Sequence, residues 1–271
     1  MEESDFEAFQ DVLKKTSGLV IGMDKCYLLE SRLRPVIDKY NLADISMLAS
    51  RVRANQKSPE AWDVVEAMTT NETSFFRDTR PFDIFKNHVM PKLMETNQAT
   101  KKIRIWSAAC SSGQEPYTLA MVIKEAGWLN QGWNFEIVGT DISKDILEVA
   151  KQGLYSQFEV QRGLPITLLV KYFKQIDEKW QINDDIKSMI KYSHFNLLHP
   201  LSSLGKFDII MCRNVLIYFD QPTKKTVLEN MSNILNNDGY LFLGGAETVI
   251  GITDKYKTVP DQRGLYEKDQ A

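Results

Sequence analysis

Three short segments carry side chains suited to a single ligand. WSAACSSGQEP (Trp106 to Pro116) is a small-residue loop that runs into a helix-like stretch. Gly139-Thr140-Asp141 places an acid at the end of an apolar run, and Cys212-Arg213-Asn214 ends another. An acid at such a strand end is placed to accept both hydroxyls of a ribose, and a small-residue loop lets a ligand approach backbone at a helix start. The loop lacks the G-x-G-x-x-G of a dinucleotide pyrophosphate site, having only Gly113, and its Glu115 would repel phosphate. A nucleoside carrying positive charge suits this acidic loop better, and S-adenosylmethionine, with an ammonium and a sulfonium, is such a ligand. Asp141 has a second reading as a helix cap beside Ser143.

The histidines offer no alternative chemistry. His88 lies on a helical stretch and His194 and His199 flank an apolar run, whereas a histidine base needs a positioned partner. Cys26, Cys110 and Cys212 are odd in number and far apart, which predicts neither a disulfide framework nor a zinc site. No metal site is expected. Cys110 and Cys212 end neighbouring strands, so both thiols are expected near the ligand, where alkylation would inhibit and bound cofactor would protect.

Positioning these groups requires strands. Ile103 to Trp106, Phe135 to Gly139, Ile190 to Phe195, Phe207 to Cys212 and Tyr240 to Leu243 are short apolar runs. They alternate with helix-like stretches at Pro116 to Glu125, Ser143 to Gln152 and Gln221 to Leu235, which implies a mostly parallel sheet covered on both faces. Tyr256 to Val259 and Leu265 to Lys268 read as a terminal antiparallel hairpin. Between residues 153 and 187 one crossover helix does not fit. Pro165 to Phe173 looks helical, and Phe173 to Ile176 with Lys179 to Ile182 alternates like a hairpin, so this is an inserted β subdomain.

Residues 1 to about 70 read as helices only. Phe6, Phe9, Val12 and Leu13 share one face, as do Leu29, Leu33, Val36, Ile37 and Tyr40. Pro35 predicts a kink or break, and Ser58-Pro59 a helix start followed by Trp62, Val65 and Met68. Nine basic residues against four acids lie between Lys14 and Lys57, although the 271-residue chain carries a net charge of −3. Lys25, Arg32 and Lys39 recur every seven residues as a basic row, with Arg34, Arg51 and Arg53 nearby. That subregion suits an acidic partner or is a solvated face. The chain's 43% hydrophobic and 25% charged content excludes a disordered or fibrous protein. The longest apolar stretch, Phe207 to Phe219, is broken by Asp208, Arg213 and Asn214, so no membrane span is expected, and the acidic start lacks a secretion signal. A cytoplasmic protein is expected.

TTNETSFFRD (Thr69 to Asp78), with WSAACSSGQEPYTLA (Trp106 to Ala120), GTDIS (Gly139 to Ser143), FNLL (Phe195 to Leu198) and FDIIMCRNVLIYF (Phe207 to Phe219), resembles the CheR-type chemotaxis receptor methyltransferases, in order and over nearly the whole chain. The resemblance implies an α/β class I S-adenosylmethionine-dependent methyltransferase, Rossmann-like, with a mostly parallel sheet and an antiparallel C-terminal hairpin. It implies a helical substrate-docking domain with linker over 1–80 and a catalytic domain over 81–271, the β insertion spanning 153–187. Such enzymes move a methyl group from S-adenosylmethionine to glutamate side chains of methyl-accepting chemotaxis receptors, leaving S-adenosylhomocysteine and a glutamate methyl ester. By motif match, Asn71, Thr73 and Arg77 would contact the cofactor from the segment joining the domains. Glu115 would hold its amino-acid portion and Asp141 its ribose. Asn196 and Leu197 would border the adenine, Arg213 and Asn214 would close the site, and Arg77 and Tyr218 would stand nearest the methyl.

The implied partner is the acidic cytoplasmic helical bundle of the receptors, docked by Lys25, Arg32, Arg34, Lys39, Arg51 and Arg53. A monomer is expected, recruited to receptor arrays at the inner face of the membrane, with no nucleic acid bound and no direct membrane insertion. Some relatives grip a receptor C-terminal peptide through a Gly-containing loop of the insertion. Here Lys174 to Trp180 has no glycine, which points to a member that does not bind that tether. Two departures are Cys110, where many members have a small non-thiol residue, and Ala246, where a Ser is common. The strand end Arg213-Asn214-Val215-Leu216 is not the Asn/Asp-Pro-Pro-aromatic run of amino-group DNA methylases. A non-catalytic cofactor-sensing scaffold on this fold is countered by Arg77, Glu115, Asp141 and Tyr218 occurring together.

Overall fold

The computed structural model describes residues 1–269, which form two compact units: Met1–Thr70 with Tyr218–Lys224, and Asn71–Ile217 with the chain from Lys225 on.

In the helical unit, Glu3–Ser17 buries Phe6, Phe9, Val12 and Leu13 and stops at Gly18, whose left-handed φ of 79° lets its N–H return to the Lys14 carbonyl. The next helix breaks where the proline requires. Cys26–Arg32 ends, Leu33 intervenes, and Arg34–Lys39 restarts with Pro35 in its first turn, where a missing N–H is harmless. Leu29, Leu33, Val36 and Ile37 are buried in both pieces. The break divides the basic row: Lys25 sits in the preceding turn Met23–Lys25, so Lys25, Arg32 and Lys39 do not share one helix. Asp44 caps Ile45–Ala54, and Ser58 caps Pro59–Met68 by accepting the Ala61 N–H at 3.2 Å. Lys14 pairs with Asp220 at 2.8 Å. The hydrogen bond from Lys14, then those from Thr223, holds that carboxyl down to about 2.

The second unit is built on a seven-stranded sheet. Its strands are β1 (Lys102–Ala108), β2 (Asn134–Asp141), β6 (Ile190–His194), β7 (Phe207–Cys212), β8 (Leu235–Leu243), β9 (Tyr256–Thr258) and β10 (Leu265–Lys268). The order is β6-β2-β1-β7-β8-β10-β9. The first five pair in parallel, and β10 runs antiparallel to both β8 and β9. The chain leaves β1 towards β2 and β6, then returns to β7 on the other side. The carboxyl ends of β1 and β7 therefore flank the switch point at which open sheets bind ligands. All six residues of β7 are buried, including Asp208, whose carboxylate accepts the Arg104 N–H at 2.8 Å and the Asn236 amide at 2.8 Å.

β3 (Leu154–Ser156), β4 (Phe173–Ile176) and β5 (Lys179–Ile182) form the insertion's own antiparallel sheet, ordered β3-β5-β4. The hairpin falls where the alternation predicted it. Its turn manages without glycine because Asp177 adopts φ 52°, a conformation Asp tolerates. The sequence reading missed β3, and missed the capping box by which Ser156 and Glu159 start the next helix. Phe75 is fully buried, edge-on to Tyr155 at 5.1 Å and to Phe173 at 5.6 Å, and so ties the segment before the sheet to the insertion.

Candidate active site

The loop after β1 is shaped by its neighbours. Gly113 has φ 91°, and a Cβ there would stand 2.7 Å from the Tyr192 hydroxyl. A Cβ on Gly139 would stand 2.7 Å from the Tyr192 ring and 3.2 Å from Cys110 Sγ. These two glycines are spaces filled by one tyrosine, and they let the loop lie down on β2. Asp141 locks that arrangement: Oδ2 accepts the Ser111 N–H at 2.8 Å and Oδ1 the Ser143 N–H at 2.9 Å. Ser143 itself caps Lys144–Gln152 by accepting the Ile146 N–H at 3.1 Å.

From the same loop, the Ser111 hydroxyl donates to the Asn71 carbonyl at 2.7 Å. The Phe195 N–H donates to the Asp141 carbonyl at 2.9 Å, which sets the buried Asn196 and Leu197 directly after the end of β2 and β6. Asn196 turns its chain by accepting the Leu198 N–H at 3.0 Å.

Arg213, at the end of β7, is the hub. It donates from Nη1 to Glu115 at 2.9 Å, and from Nη2 to the Arg77 carbonyl and to Asp78, each at 2.8 Å. Its guanidinium lies 5.5 Å from the Phe82 ring centroid. Its side chain is 2% exposed and that of Glu115 13%, so this ion pair works out of bulk water, whereas Asp78 is 54% exposed. Glu115 also accepts the Ser107 hydroxyl at 2.7 Å. Nε of Arg213 is buried with no partner among the described residues.

Arg77 is half-buried. Its guanidinium donates to the Glu72 carbonyl at 2.8 Å and has no carboxylate within ion-pair distance among the described residues. The two acids beside it are engaged elsewhere: Asp78 by Arg213, and Glu72 by Arg162, whose hydrogen bond holds the Glu72 carboxyl below its usual range. Thr73 is half-buried in the same segment.

The structure thus brings Asn71, Arg77, Glu115, Asp141, Asn196, Leu197, Arg213 and Asn214 into one unit, through a continuous chain of bonds for most of them. Tyr218 groups with the helical unit, where its carbonyl accepts the Val20 N–H at 2.9 Å. Of the six cations expected to dock a partner, Arg32 is engaged locally: it donates to the Met68 and Thr69 carbonyls at 3.1 and 3.2 Å, closing the end of Pro59–Met68. Arg34 pairs with Asp38, Lys39 with Asp63, Arg51 with Glu60 and Arg53 with Asp5. Lys25 is exposed with no ion-pair partner among the described residues.

Cys110 and Cys212 do lie at these strand ends, but both are buried. Burial, then the negative charge of Asp141 and Glu115 for Cys110 and of Glu247 and Glu115 for Cys212, pushes both thiols well up. Burial and a raised pKa both make a thiol a poor nucleophile, which argues against the expected alkylation of these two in the folded protein. Sequence reasoning passed over Glu247 and the ligation of Asp78. The only signal for Glu247 was an acid in a Gly-Gly turn after a parallel strand, and its partners lie some thirty residues back. Among the described residues no cluster of His, Cys, Asp and Glu could hold a metal ion, and no helix is long and apolar enough to cross a membrane.

Acidic acceptors with one unpartnered buried guanidinium N–H fit the ammonium and carboxylate of an amino acid joined to a nucleoside. With the strand order, this defines an S-adenosylmethionine-dependent methyltransferase of class I. Residues 71–265 match the family description "CheR methyltransferase, SAM binding domain", and residues 4–69 match "CheR methyltransferase, all-alpha domain". Chemotaxis protein methyltransferases of Pseudomonas putida and Pseudomonas aeruginosa are each 41% identical, covering 96% and 97% of this chain and 96% of each relative. One of Vibrio parahaemolyticus is 38% identical over 99% of this chain and 98% of its own length. The chain belongs to the CheR methyltransferase family.

Proposed function

We propose that this methyltransferase esterifies glutamate side chains on the acidic cytoplasmic helical bundle of methyl-accepting chemotaxis receptors. Glu115 takes the ammonium of S-adenosylmethionine, the spare Nε–H of Arg213 its carboxylate, and Asp141 the ribose hydroxyls. Asn71, Thr73, Asn196, Leu197 and Asn214 complete the cofactor's surroundings. When bound, S-adenosylmethionine supplies a methyl carbon on a sulfonium leaving group, which a carboxylate displaces in line to give the ester and S-adenosylhomocysteine. A glutamate, with a pKa of about 4.3, is already ionised at neutral pH, so no general base is required. The protein's part is position: holding reactants in near-attack geometry accounts for roughly 7–11 kcal/mol. Arg77 orients the incoming carboxylate with the part of its five-donor fork that Glu72 leaves open, and Tyr218 adds one hydrogen bond.

The observation that carries this reading is the buried Glu115–Arg213 pair, which ties the FFRD segment to the acidic loop. Docking falls to the exposed cations Lys25, Arg34, Lys39, Arg51 and Arg53. The Arg34–Asp38 pair lies at the surface and is worth about 0–1 kcal/mol, weak enough to exchange for an acidic helix, whereas Arg53 pairs with Asp5, whose side chain is 8% exposed. Arg32 contributes charge from a fixed position. The helical region 1–80 serves as docking domain and linker, and 81–271 as the catalytic domain. The chain acts as a monomer in the cytoplasm, recruited to receptor arrays, without the tether peptide. The test is transfer of labelled methyl to receptor cytoplasmic fragments. A base-labile product mapping to glutamates is expected. Labelling of other residue types, or none on any receptor fragment while S-adenosylhomocysteine still binds, would overturn the substrate assignment.

A further inference from the structure

The loop that follows β7 forms only one 3-10 turn, Leu216–Tyr218, and a single carboxylate accepts the amides at its start. Glu247 Oε2 accepts the N–H groups of Asn214 at 2.8 Å and Gly244 at 2.6 Å, and Oε1 those of Val215 at 2.9 Å and Ile217 at 3.3 Å. Four backbone donors therefore converge on two oxygens, which only an ionised carboxylate can serve. The loop begins in the left-handed region, where Asn214 has φ 59°, a conformation Asn tolerates. Gly244 makes room for the arrangement: a Cβ there would stand 2.7 Å from Glu247 Oε2 and 2.9 Å from the Asn214 nitrogen. The Glu247 N–H returns to the Gly244 carbonyl at 3.0 Å, so the clamp is itself a closed turn at the end of β8.

We propose that Glu247 is a positioning residue for methyl transfer: its carboxylate fixes the loop Asn214–Ile217, which joins the hub Arg213 to Tyr218. The proposal rests on the reading of the site given above. Glu247 touches neither reactant and acts through the backbone it holds. Glutamine keeps the size but offers one accepting end, so Glu247→Gln turns an NH2 group towards two N–H donors and releases half of the loop. Aspartate keeps both oxygens on a shorter stem.

The experiment uses the full chain, with steady-state methylation of a receptor fragment, calorimetry with S-adenosylhomocysteine, and amide hydrogen exchange of the peptide containing residues 213–217. Misplacement by about 1 Å costs on the order of a hundredfold in rate, so kcat of Glu247→Gln should fall about that much. Cofactor affinity should fall less than kcat, because Glu115 and Asp141 are untouched while only Asn214, on the released loop, borders the cofactor. Exchange of the 213–217 peptide should accelerate, and Glu247→Asp should regain about tenfold of the lost kcat, as expected when both oxygens remain. Gly244→Ala should reproduce the glutamine phenotype by crowding the same oxygen. Wild-type kcat in folded Glu247→Gln, an unchanged exchange rate, or an aspartate variant no better than glutamine would each overturn the proposal. If the glutamine variant does not fold, the aspartate and alanine variants decide. If the wild type binds S-adenosylhomocysteine but methylates no receptor fragment, the substrate assignment fails, and the clamp is judged on exchange.

Discussion

Replacing Arg213 by methionine removes the hub while keeping most of its volume. The cost follows from what is left behind. Asp78 is more than half exposed, so losing that pair costs about 0–1 kcal/mol. The Arg77 carbonyl loses a charge-assisted bond, a contribution of about 1.5–3 kcal/mol. Glu115 dominates: at 13% exposure it keeps a charge facing only the Ser107 hydroxyl, and breaking such a pair from one side costs about 3–5 kcal/mol. These contributions share one site and do not add, so about 3–5 kcal/mol is expected for the whole substitution. For a unit of this size that lowers the melting temperature by roughly 6–20 °C. Converting Glu115 to methionine as well removes the stranded charge, and replacing a whole buried pair by apolar groups is often neutral, so the double variant should recover to within about 2 kcal/mol of wild type. It should nevertheless fail to bind S-adenosylhomocysteine. Urea unfolding followed by tryptophan fluorescence gives the stabilities, and calorimetry gives the binding. A single variant losing less than about 1 kcal/mol, or strictly additive substitutions, would refute the hub; a double variant that still binds would refute the role of the pair in holding the cofactor.

Arg77→Ala should leave the urea midpoint almost unchanged, since its guanidinium makes one bond to the Glu72 carbonyl, yet lower the methylation rate at least a hundredfold; near-normal turnover in a folded variant would remove it from the reaction. Stability should fall with rising pH above about 8.5, because the Cys110 and Cys212 thiols ionise there only when unfolded; the unfolded state then holds fewer protons, and each thiol takes away about 1.4 kcal/mol per pH unit until the folded groups titrate. The buried phenols of Tyr155, Tyr192 and Tyr256, also pushed up by burial, add to the slope above about pH 10, and urea midpoints that stay level from pH 8 to 10 would contradict this. Methylation of a receptor fragment should slow as salt is raised from about 0.05 to 0.5 M, since the exposed cations are screened within about 10 Å at 0.1 M, and Lys25→Glu should slow it at low salt; a rate indifferent to both would exclude electrostatic docking.

What the sequence made legible follows from which interactions are local. β7 reads as a strand because every residue of Phe207–Cys212 is buried, and Pro35 announces its break because a missing N–H acts on its own helix. β8 was read only from Tyr240, yet it begins at Leu235. Its first half, Asn236-Asn237-Asp238-Gly239, has the composition of a turn, and it becomes strand because partners elsewhere accept its polar groups, as when Asn236 donates to the buried Asp208 at 2.8 Å. The same limit applied to the cations. Their positions were visible, but the acids that engage Lys39, Arg51 and Arg53 come from other helices or the chain start, and the carbonyls that engage Arg32 from a helix end some 36 residues away. Glu115 and Asp141 were legible because a motif names them; Glu247 has meaning only once β8 lies beside β7.

The left-handed backbone around the site has a common explanation in three charged side chains. Besides Lys101, Asp177 and Asp261 elsewhere in the second unit, left-handed φ values at non-glycine residues occur at Phe76 (50°), Asp78 (68°) and Thr79 (47°), at Ala109 (56°) and Ser111 (51°), and at Asn214 (59°). Each costs of order 1–3 kcal/mol unless the surroundings over-determine it. Arg213 grips the first group through the Arg77 carbonyl and Asp78, Asp141 grips the second through the Ser111 N–H, and Glu247 grips the third through the Asn214 N–H. One buried or half-buried ionised group per loop is an expensive way to gain stability, since apolar packing would do as well. It is an effective way to hold a loop in a conformation that packing alone would not select, so that binding energy from the cofactor is not spent on ordering the loops that receive it. On this account Arg213 and Asp141 were legible as ligand contacts for only half of their reason: with Glu247 they also hold the loop backbone, and a variant that keeps the charge but shifts it by a methylene should lose rate before it loses stability.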